Sequence, residues 1–360
     1  MNNQRIHSKT RNSNLELYRI IVMLLIVAHH YVVNSRLENV LQEAPLSERS
    51  IFFYLFGAWG KTGINCFIMI TGYFMCKSHI TLRKFLKLLF EVLFYNIIIY
   101  TIFVTTGYES LSLAGMENLI PMRNLNTNFI SCFLVFFFCI PFLNVLIQNL
   151  DKRKHQLLIV LCLFIYTLHG TLPHTSVNMN YVSWFCVIYF IASYLRLYPI
   201  PFDRNIKIWG ISTLLCISIS ICSILGILYL NTYYHTDLPP YRYVSDSNSL
   251  LALLTAICSF MYFKNLHIPQ NKLINIIGSS TFGVLLIHAN SDTMRKWLWQ
   301  DLLNNSGHYY DSLYWIHPTV TTICIFLICI IIDQNRIMLI RILSSKIKRI
   351  HSYFFTKASI

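Results

Sequence analysis

Ten apolar runs of near membrane-spanning length follow one another along this 360-residue chain, at about 17–35, 51–75, 85–106, 127–148, 155–169, 181–198, 207–230, 248–263, 273–290 and 315–333. A helix rises ~1.5 Å per residue and a bilayer's hydrocarbon core is about 30 Å thick, so roughly 20 apolar residues cross it. Most of the runs reach that length, and 155–169 and 248–263 fall short of it. Lipid offers no partner to a backbone N–H or C=O, so runs of this kind fold as helices. Composition agrees: 55% of residues are hydrophobic, 12% are charged and the mean hydropathy is +0.52, far from a soluble domain. The expected fold is all-α and integral to the membrane. It is a bundle of about ten transmembrane helices in one domain over 1–335, with a basic amphipathic tail over 336–360.

Lysine and arginine set the expected orientation. With the N-terminus inside, cytoplasmic segments hold 21 of the 29, among them Arg11, Lys84, Lys87, Lys264 and six from Arg336 to Lys357. The opposite segments hold 6, among them Arg36, Arg242, Arg295 and Lys296, while Arg19 and Lys61 fall within spans. Both termini are therefore expected in the cytoplasm, which requires an even number of crossings. The same distribution argues against a nucleic-acid partner. The formal charge of +14 sits in short loops beside spans, where membrane lipids with anionic headgroups are the natural counter-charge. The tail RIMLIRILSSKIKRIHSYFF alternates basic and apolar positions and is expected to lie along the inner leaflet. The first sixteen residues are polar and basic, so no cleavable signal peptide is expected. Eleven cysteines lie almost entirely in the apolar runs, without a CxxC or a Cys/His cluster of zinc spacing, and no metal is expected. Trp59, Trp184, Trp297, Trp299 and Trp315 fall near one boundary, as an interfacial belt would.

The first run carries charge, and ionisable groups at membrane depth are costly enough to mark function. Arg19 and His30 are eleven residues apart, three turns plus ~20°, so they share a helix face about 16 Å apart along the axis. Glu16 lies one turn before Arg19 and Asn34 one turn after His30, which makes one polar stripe. His29 points ~100° away and reads as structural. Lys61, near the outer surface, reads as a snorkelling or topological charge. Gly57, Gly60, Gly63 and Gly72 read as close-approach positions between helices, with a break at Gly60 and Gly63 as the other reading.

These residues also carry a resemblance. The opening NLELYRIIVMLLIVAHHY, with a basic residue, ten intervening residues and a histidine at Arg19–His30, resembles the first helix of the membrane-bound acyltransferase-3 family, bacterial enzymes that O-acylate cell-surface sugars. The segment GKTGINCFIMITGYF is similar to that family's glycine-rich second helix, with Gly60, Gly63, Asn65, Phe67, Gly72 and Tyr73 in place and Thr71 where serine is usual. FLVFFFCIPFLNVLI resembles its segment around Pro141-Phe142, and STFGVLLIH resembles the ending that supplies His288, with Leu285 in place of the usual tyrosine. The likeness runs from residue 14 to about 290. One departure concerns the donor: where many members carry Arg-x-x-Arg, this chain has Lys84-x-x-Lys87, which gives up arginine's fork and keeps point-charge phosphate binding.

The resemblance implies transfer of an acyl group, expected to be acetyl, from acyl-CoA to a hydroxyl of a cell-surface glycan or lipid-linked oligosaccharide, in a bacterial plasma membrane. The residues read the same way. A sugar hydroxyl needs a base near neutral pH, which suits His30. Acetyl-CoA is a cytoplasmic polyanion that needs a basic mouth, and Arg19, Lys84 and Lys87 stand at the inner end. Glu16, Asn34, Asn65, Tyr73 and His288 are candidate substrate-contacting or supporting residues, His288 being equally readable as an interhelical hydrogen bond. The competing class is a transporter or flippase of a lipid-linked sugar. Transporters tend to show paired broken helices in both halves, whereas the polar and glycine features here crowd into the first ninety residues.

Overall fold

The computed structural model describes residues 11–357 except 124, 126, 127, 173, 174, 176 and 245, with side chains described to residue 345. Residues 1–10, and the side chains that would make the end of the tail amphipathic, lie outside the described residues. The described chain is all-helical. The helices used below are α1 (Ser13–Val33), α2 (Glu48–Gly57), α3 (Gly60–Met75), α4 (Leu82–Thr105), α5 (Phe129–Gln148), α6 (Lys152–Leu163), α7 (Tyr181–Leu197), α8 (Ile206–Tyr234), α9 (Leu250–Asn265), α10 (Lys272–Ser279), α11 (Thr281–His288), α12 (Asp292–Lys296) and α13 (Ile316–Lys357).

Among the described residues, five helices are long and apolar enough to cross a membrane: α1, α4, α5, α8 and Ile316–Ser345 of α13. A sixth follows if Lys272–His288 and Asp292–Tyr310, bent by 92°, count as one span. The remaining apolar runs form shorter or broken helices. The run 51–75 is α2 and α3, and 273–290 is α10 and α11. The run 155–169 is α6 continued through a π turn to Thr171, while α7 and α9 have 17 and 16 residues. Local chemistry sets several starts. Asp151, Asn180 and Asn205 each accept a bond from the backbone N–H three residues on, as N-caps do.

α1 runs through the middle of the bundle. Val22, Met23, Val27 and Tyr31 are fully buried against α3, α10, α11 and α13. The approach of α3 depends on Gly63, whose missing side chain leaves room for Ile26 of α1. Two of the tryptophans expected in an interfacial belt are interior. Trp184 and Trp299 are fully buried, and Trp184 Nε1 donates to Asn65 Oδ1 at 2.8 Å. Trp299 Nε1 has no hydrogen-bond partner among the described residues, and for neither tryptophan did a position near a sequence boundary decide exposure.

A charged cluster fastens α4 and α13 together. Asp333 Oδ1 accepts from Tyr95 OH at 2.7 Å and from Arg336 Nε at 2.9 Å, and Arg336 Nη2 reaches Glu91 Oε1 at 2.8 Å. Gly283 of α11 makes room for the Asp333 carboxylate. α13 runs unbroken across residue 335, and Arg336 is 7% exposed inside the bundle. Removing one member of a buried ion pair costs more than the pair contributes, because the other charge stays buried. Arg336→Met should therefore destabilise the protein by about 3–5 kcal/mol, and Tyr95→Phe by about 1 kcal/mol. Thermal denaturation of detergent-solubilised protein, followed by size-exclusion chromatography, reads both.

Candidate active site

The site forms where α1 passes two helix breaks. Ending α2 at Gly57 leaves carbonyls that no helical N–H reaches, and His29 Nδ1 donates to the Gly57 oxygen at 2.6 Å. The ring of His29 lies over Gly60, where any side chain would collide with it. The close-approach reading holds at Gly57, Gly60 and Gly63, while the break falls between Gly57 and Gly60 and leaves Gly63 inside α3.

His30 faces the second break. Its Nδ1 is 2.9 Å from Nε2 of His288, at the end of α11, and His288 Nδ1 is 2.6 Å from the Val284 carbonyl. A carbonyl only accepts, so His288 carries its proton on Nδ1. A neutral imidazole has one N–H, so His288 Nε2 is an acceptor and His30 Nδ1 donates to it. The chain of bonds leaves His30 with its lone pair on Nε2. His288 is fully buried. The two histidines singled out separately from the sequence, 258 positions apart, are one unit.

Two spaces adjoin this pair. A polar cavity of about 120 Å³ is lined by His29, His30, Lys61, Asn128, Tyr181 and Arg295 among apolar neighbours. An apolar groove of about 1070 Å³ between α4 and α13, lined by Phe94, Ile98, Phe103, Trp297 and Ile325, reaches His288. Lys61 turns to the first residue of α7. Its Nζ donates to Tyr181 OH at 2.6 Å and lies 5.3 Å from the centre of that ring. Arg295 donates to Asp292 Oδ1 at 2.6 Å and to the Ala289 carbonyl at 3.3 Å, across the break after α11.

The other singled-out residues are dispersed. At the opposite end of α1, Arg19 and Arg11 both contact Glu16 Oε1, at 3.1 and 3.2 Å. Glu16 is buried and its Oε2 has no hydrogen-bond partner. Lys84 and Lys87 are exposed at the start of α4, and Lys84 Nζ folds back onto Ser78 Oγ at 2.9 Å and the His79 carbonyl at 2.6 Å. Asn34 caps the end of α1 with its Nδ2 buried and unpartnered. Asn65 bridges Trp184 and the Ser247 carbonyl, at 2.8 and 2.6 Å, away from the histidines. Tyr73 accepts from Arg196 Nη1 at 2.7 Å, with the guanidinium 4.5 Å from its ring centre. The structure thus joins His30 to His288 and Arg19 to Glu16, and gives Asn65 and Tyr73 packing partners of their own.

Sequence reasoning passed over Tyr181, Asn128 and Arg295 as parts of the site, and placed Lys61 outside it. Only Lys61 carried a signal, as an ammonium inside an apolar run. Nuclear magnetic resonance of ¹⁵N-histidine-labelled protein should find His30 and His288 both as Nδ1–H tautomers. An Nε2–H form of His288 would break the chain of bonds at its first link.

The comparisons with known proteins bear on the same residues. No curated protein and no solved structure matches the chain. A family model described as an acyltransferase domain matches residues 12–334, which spans α1 and both breaks and ends within α13. The chain therefore belongs to the membrane acyltransferase-3 family.

Proposed function

We propose that the protein transfers an acyl group, expected to be acetyl, from acyl-CoA to a hydroxyl of a cell-surface glycan or lipid-linked oligosaccharide, with His30 as general base. The observation that carries this is the bond chain from the Val284 carbonyl through His288 to His30, which leaves the His30 Nε2 lone pair beside a polar cavity. As a sugar hydroxyl attacks the thioester carbonyl, Nε2 takes its proton. Collapse of the tetrahedral adduct breaks the carbon–sulfur bond, and the imidazolium returns the proton to the departing CoA thiolate. His288 holds the His30 ring and shares the positive charge that forms on it. Membership of an acyltransferase family favours this over the transport of a lipid-linked sugar.

The donor is assigned to the end of α1 that carries Glu16 and Arg19. Two guanidiniums meet there on one carboxylate oxygen, which leaves net positive charge for CoA phosphates. From Arg19 to His30 is about 16 Å along the helix, a span for the pantetheine arm. Lys84 and Lys87, exposed at the start of α4, add charge to the same mouth.

The membrane arrangement follows the lysine and arginine bias: about ten crossings of a bacterial plasma membrane, with both termini cytoplasmic. The broken and short helices are then counted as crossings with the five long ones. Support comes from the contacts of α9, which begins near Tyr166 and Thr171 and ends where Asn14 of α1 binds the Phe263 and Lys264 carbonyls. It therefore traverses the bundle with only 16 residues.

His30→Ala should insert and express normally but transfer acyl groups about 10²–10⁴-fold more slowly, the usual contribution of a positioned base. His288→Ala should lower kcat with little change in the acyl-CoA KM, and His29→Ala should lose much less than His30→Ala. A transfer assay with radiolabelled acetyl-CoA at matched expression reads all three. A dead His29→Ala beside an active His30→Ala would move the base to the neighbouring face of α1. The Lys84→Ala/Lys87→Ala double variant should raise the acyl-CoA KM, and the difference from wild type should shrink in high salt as screening weakens the native contact. An unchanged KM would remove both lysines from the donor site.

A further inference from the structure

The cavity beside His30 holds an imbalance of charge. Lys61 and Arg295 both line it, and none of the described residues lining it is acidic. Lys61 has a neutral partner, the Tyr181 hydroxyl. Arg295 has Asp292, but that carboxylate is 97% exposed, so water screens the pair. Two cations facing a partly open polar space without an internal counter-charge favour an anion in it.

Arg295 also borders a second space. A cleft of about 380 Å³ at the C-terminal end of α1 is lined by Asn34, Arg36, Glu38, Asp292, Arg295 and Lys296 among others. Asn34 Nδ2 is buried without a partner in this region, a donor with nothing to donate to. The cleft, then Arg295, then the dyad cavity form a polar route into the bundle, at the end opposite Arg19. The dyad cavity, about 120 Å³, is the smaller and deeper of the two spaces.

Resting on the acyl-transfer reading, we propose that this route is the acceptor's entry and that the acceptor is an acidic sugar. Arg295 and Lys61 hold its carboxylate or phosphate while the neighbouring hydroxyl meets His30 Nε2. The guanidinium's fork suits a planar carboxylate or a phosphate edge. The exposed Asp292 holds Nη1 of Arg295 until the substrate's anion displaces it, while Nη2 rests at 3.3 Å on the Ala289 carbonyl. Arg295 and Lys61 thereby set specificity, and the base itself is indifferent to the acceptor's charge.

The test uses the full-length protein in nanodiscs with acetyl-CoA and three acceptors: methyl glucuronoside, methyl glucoside 6-phosphate and methyl glucoside. Wild type should favour the acidic acceptors in kcat/KM by about 10- to 100-fold, the range for a charge-assisted hydrogen bond. The first two acceptors separate a carboxylate preference from a phosphate one. In Arg295→Gln and Lys61→Gln the ratio of acidic to neutral acceptor should fall toward one, through the KM of the acidic acceptor. Arg295→Lys should keep most of it. Wild type that treats the three alike, variants that keep the full ratio, or a loss confined to the acetyl-CoA KM would each overturn the proposal. Acceptor binding measured without donor, by equilibrium dialysis of radiolabelled glucuronoside against glucoside, separates the two readings. Selective binding of the acidic sugar that Arg295→Gln abolishes supports the acidic-acceptor site even if no acyl group is transferred, and equal binding of the two sugars overturns it even if acetyl-CoA is turned over.

Discussion

The 2.6 Å bond between His288 Nδ1 and the Val284 carbonyl fixes the chemistry of the site, because one of its partners has no choice of role. The carbonyl accepts, His288 donates, and the assignment passes through His288 Nε2 to His30. A lone histidine in an apolar bundle can place its proton on either nitrogen. Here the backbone of α11 makes that choice four residues upstream of His288, and a second ring conveys it to α1. A helix carbonyl four residues back is available to His288 because the N–H that it bonds in a regular helix still leaves one lone pair. The site therefore rests on the end of α11 being held against α1, and the glycine and carboxylate contacts around α11 bear on its chemistry.

That hold is made at two places, one on α10 and one on α11. Glu16 of α1 packs over Gly278 of α10 near Arg19, and Asp333 of α13 packs over Gly283 of α11. Each glycine lets a carboxylate-bearing helix come close, and each carboxylate is tied to arginine: Glu16 to Arg11 and Arg19, Asp333 to Arg336. At Asp333 the tie continues through Tyr95 and Glu91 to α4. Lipid supplies no hydrophobic drive between helices, so close packing at small residues and internal polar bonds must hold them. Both carboxylates keep an oxygen without a partner, Glu16 Oε2 and Asp333 Oδ2.

Much of this was legible in the sequence. The three-turn spacing of Arg19 and His30 survives because α1 is an unbroken helix over Ser13–Val33, and periodicity arguments hold wherever a helix is regular. The all-helical membrane fold followed from composition and run length. What could not be read was pairing between helices. Nothing in a window around residue 30 points to residue 288, and a resemblance to a family motif named His288 without supplying its partner. Trp184 and Trp299 show the same limit from the other side. Both stand near a run boundary in the sequence and both are interior, because exposure depends on which helices surround a residue rather than on its depth.

The sequence misread the places where hydropathy saw one run and the chain makes two helices. The runs 51–75 and 273–290 are smooth in apolar content, yet the first breaks after Gly57 and the second is divided between Ser279 and Thr281 and ends at His288. Non-helical backbone at membrane depth leaves polar groups that lipid cannot satisfy, so it persists where protein or a wet cavity satisfies them. The Gly57 carbonyl is taken by His29, and the Ala289 carbonyl by Arg295. Gly60 and Ala289, beside the two breaks, both line the polar cavity at His30. The departures from helix thus coincide with the site. The side chains that satisfy the freed carbonyls, His29 and Arg295, also line that cavity, so the groups that make the breaks tolerable are the ones that make the cavity polar.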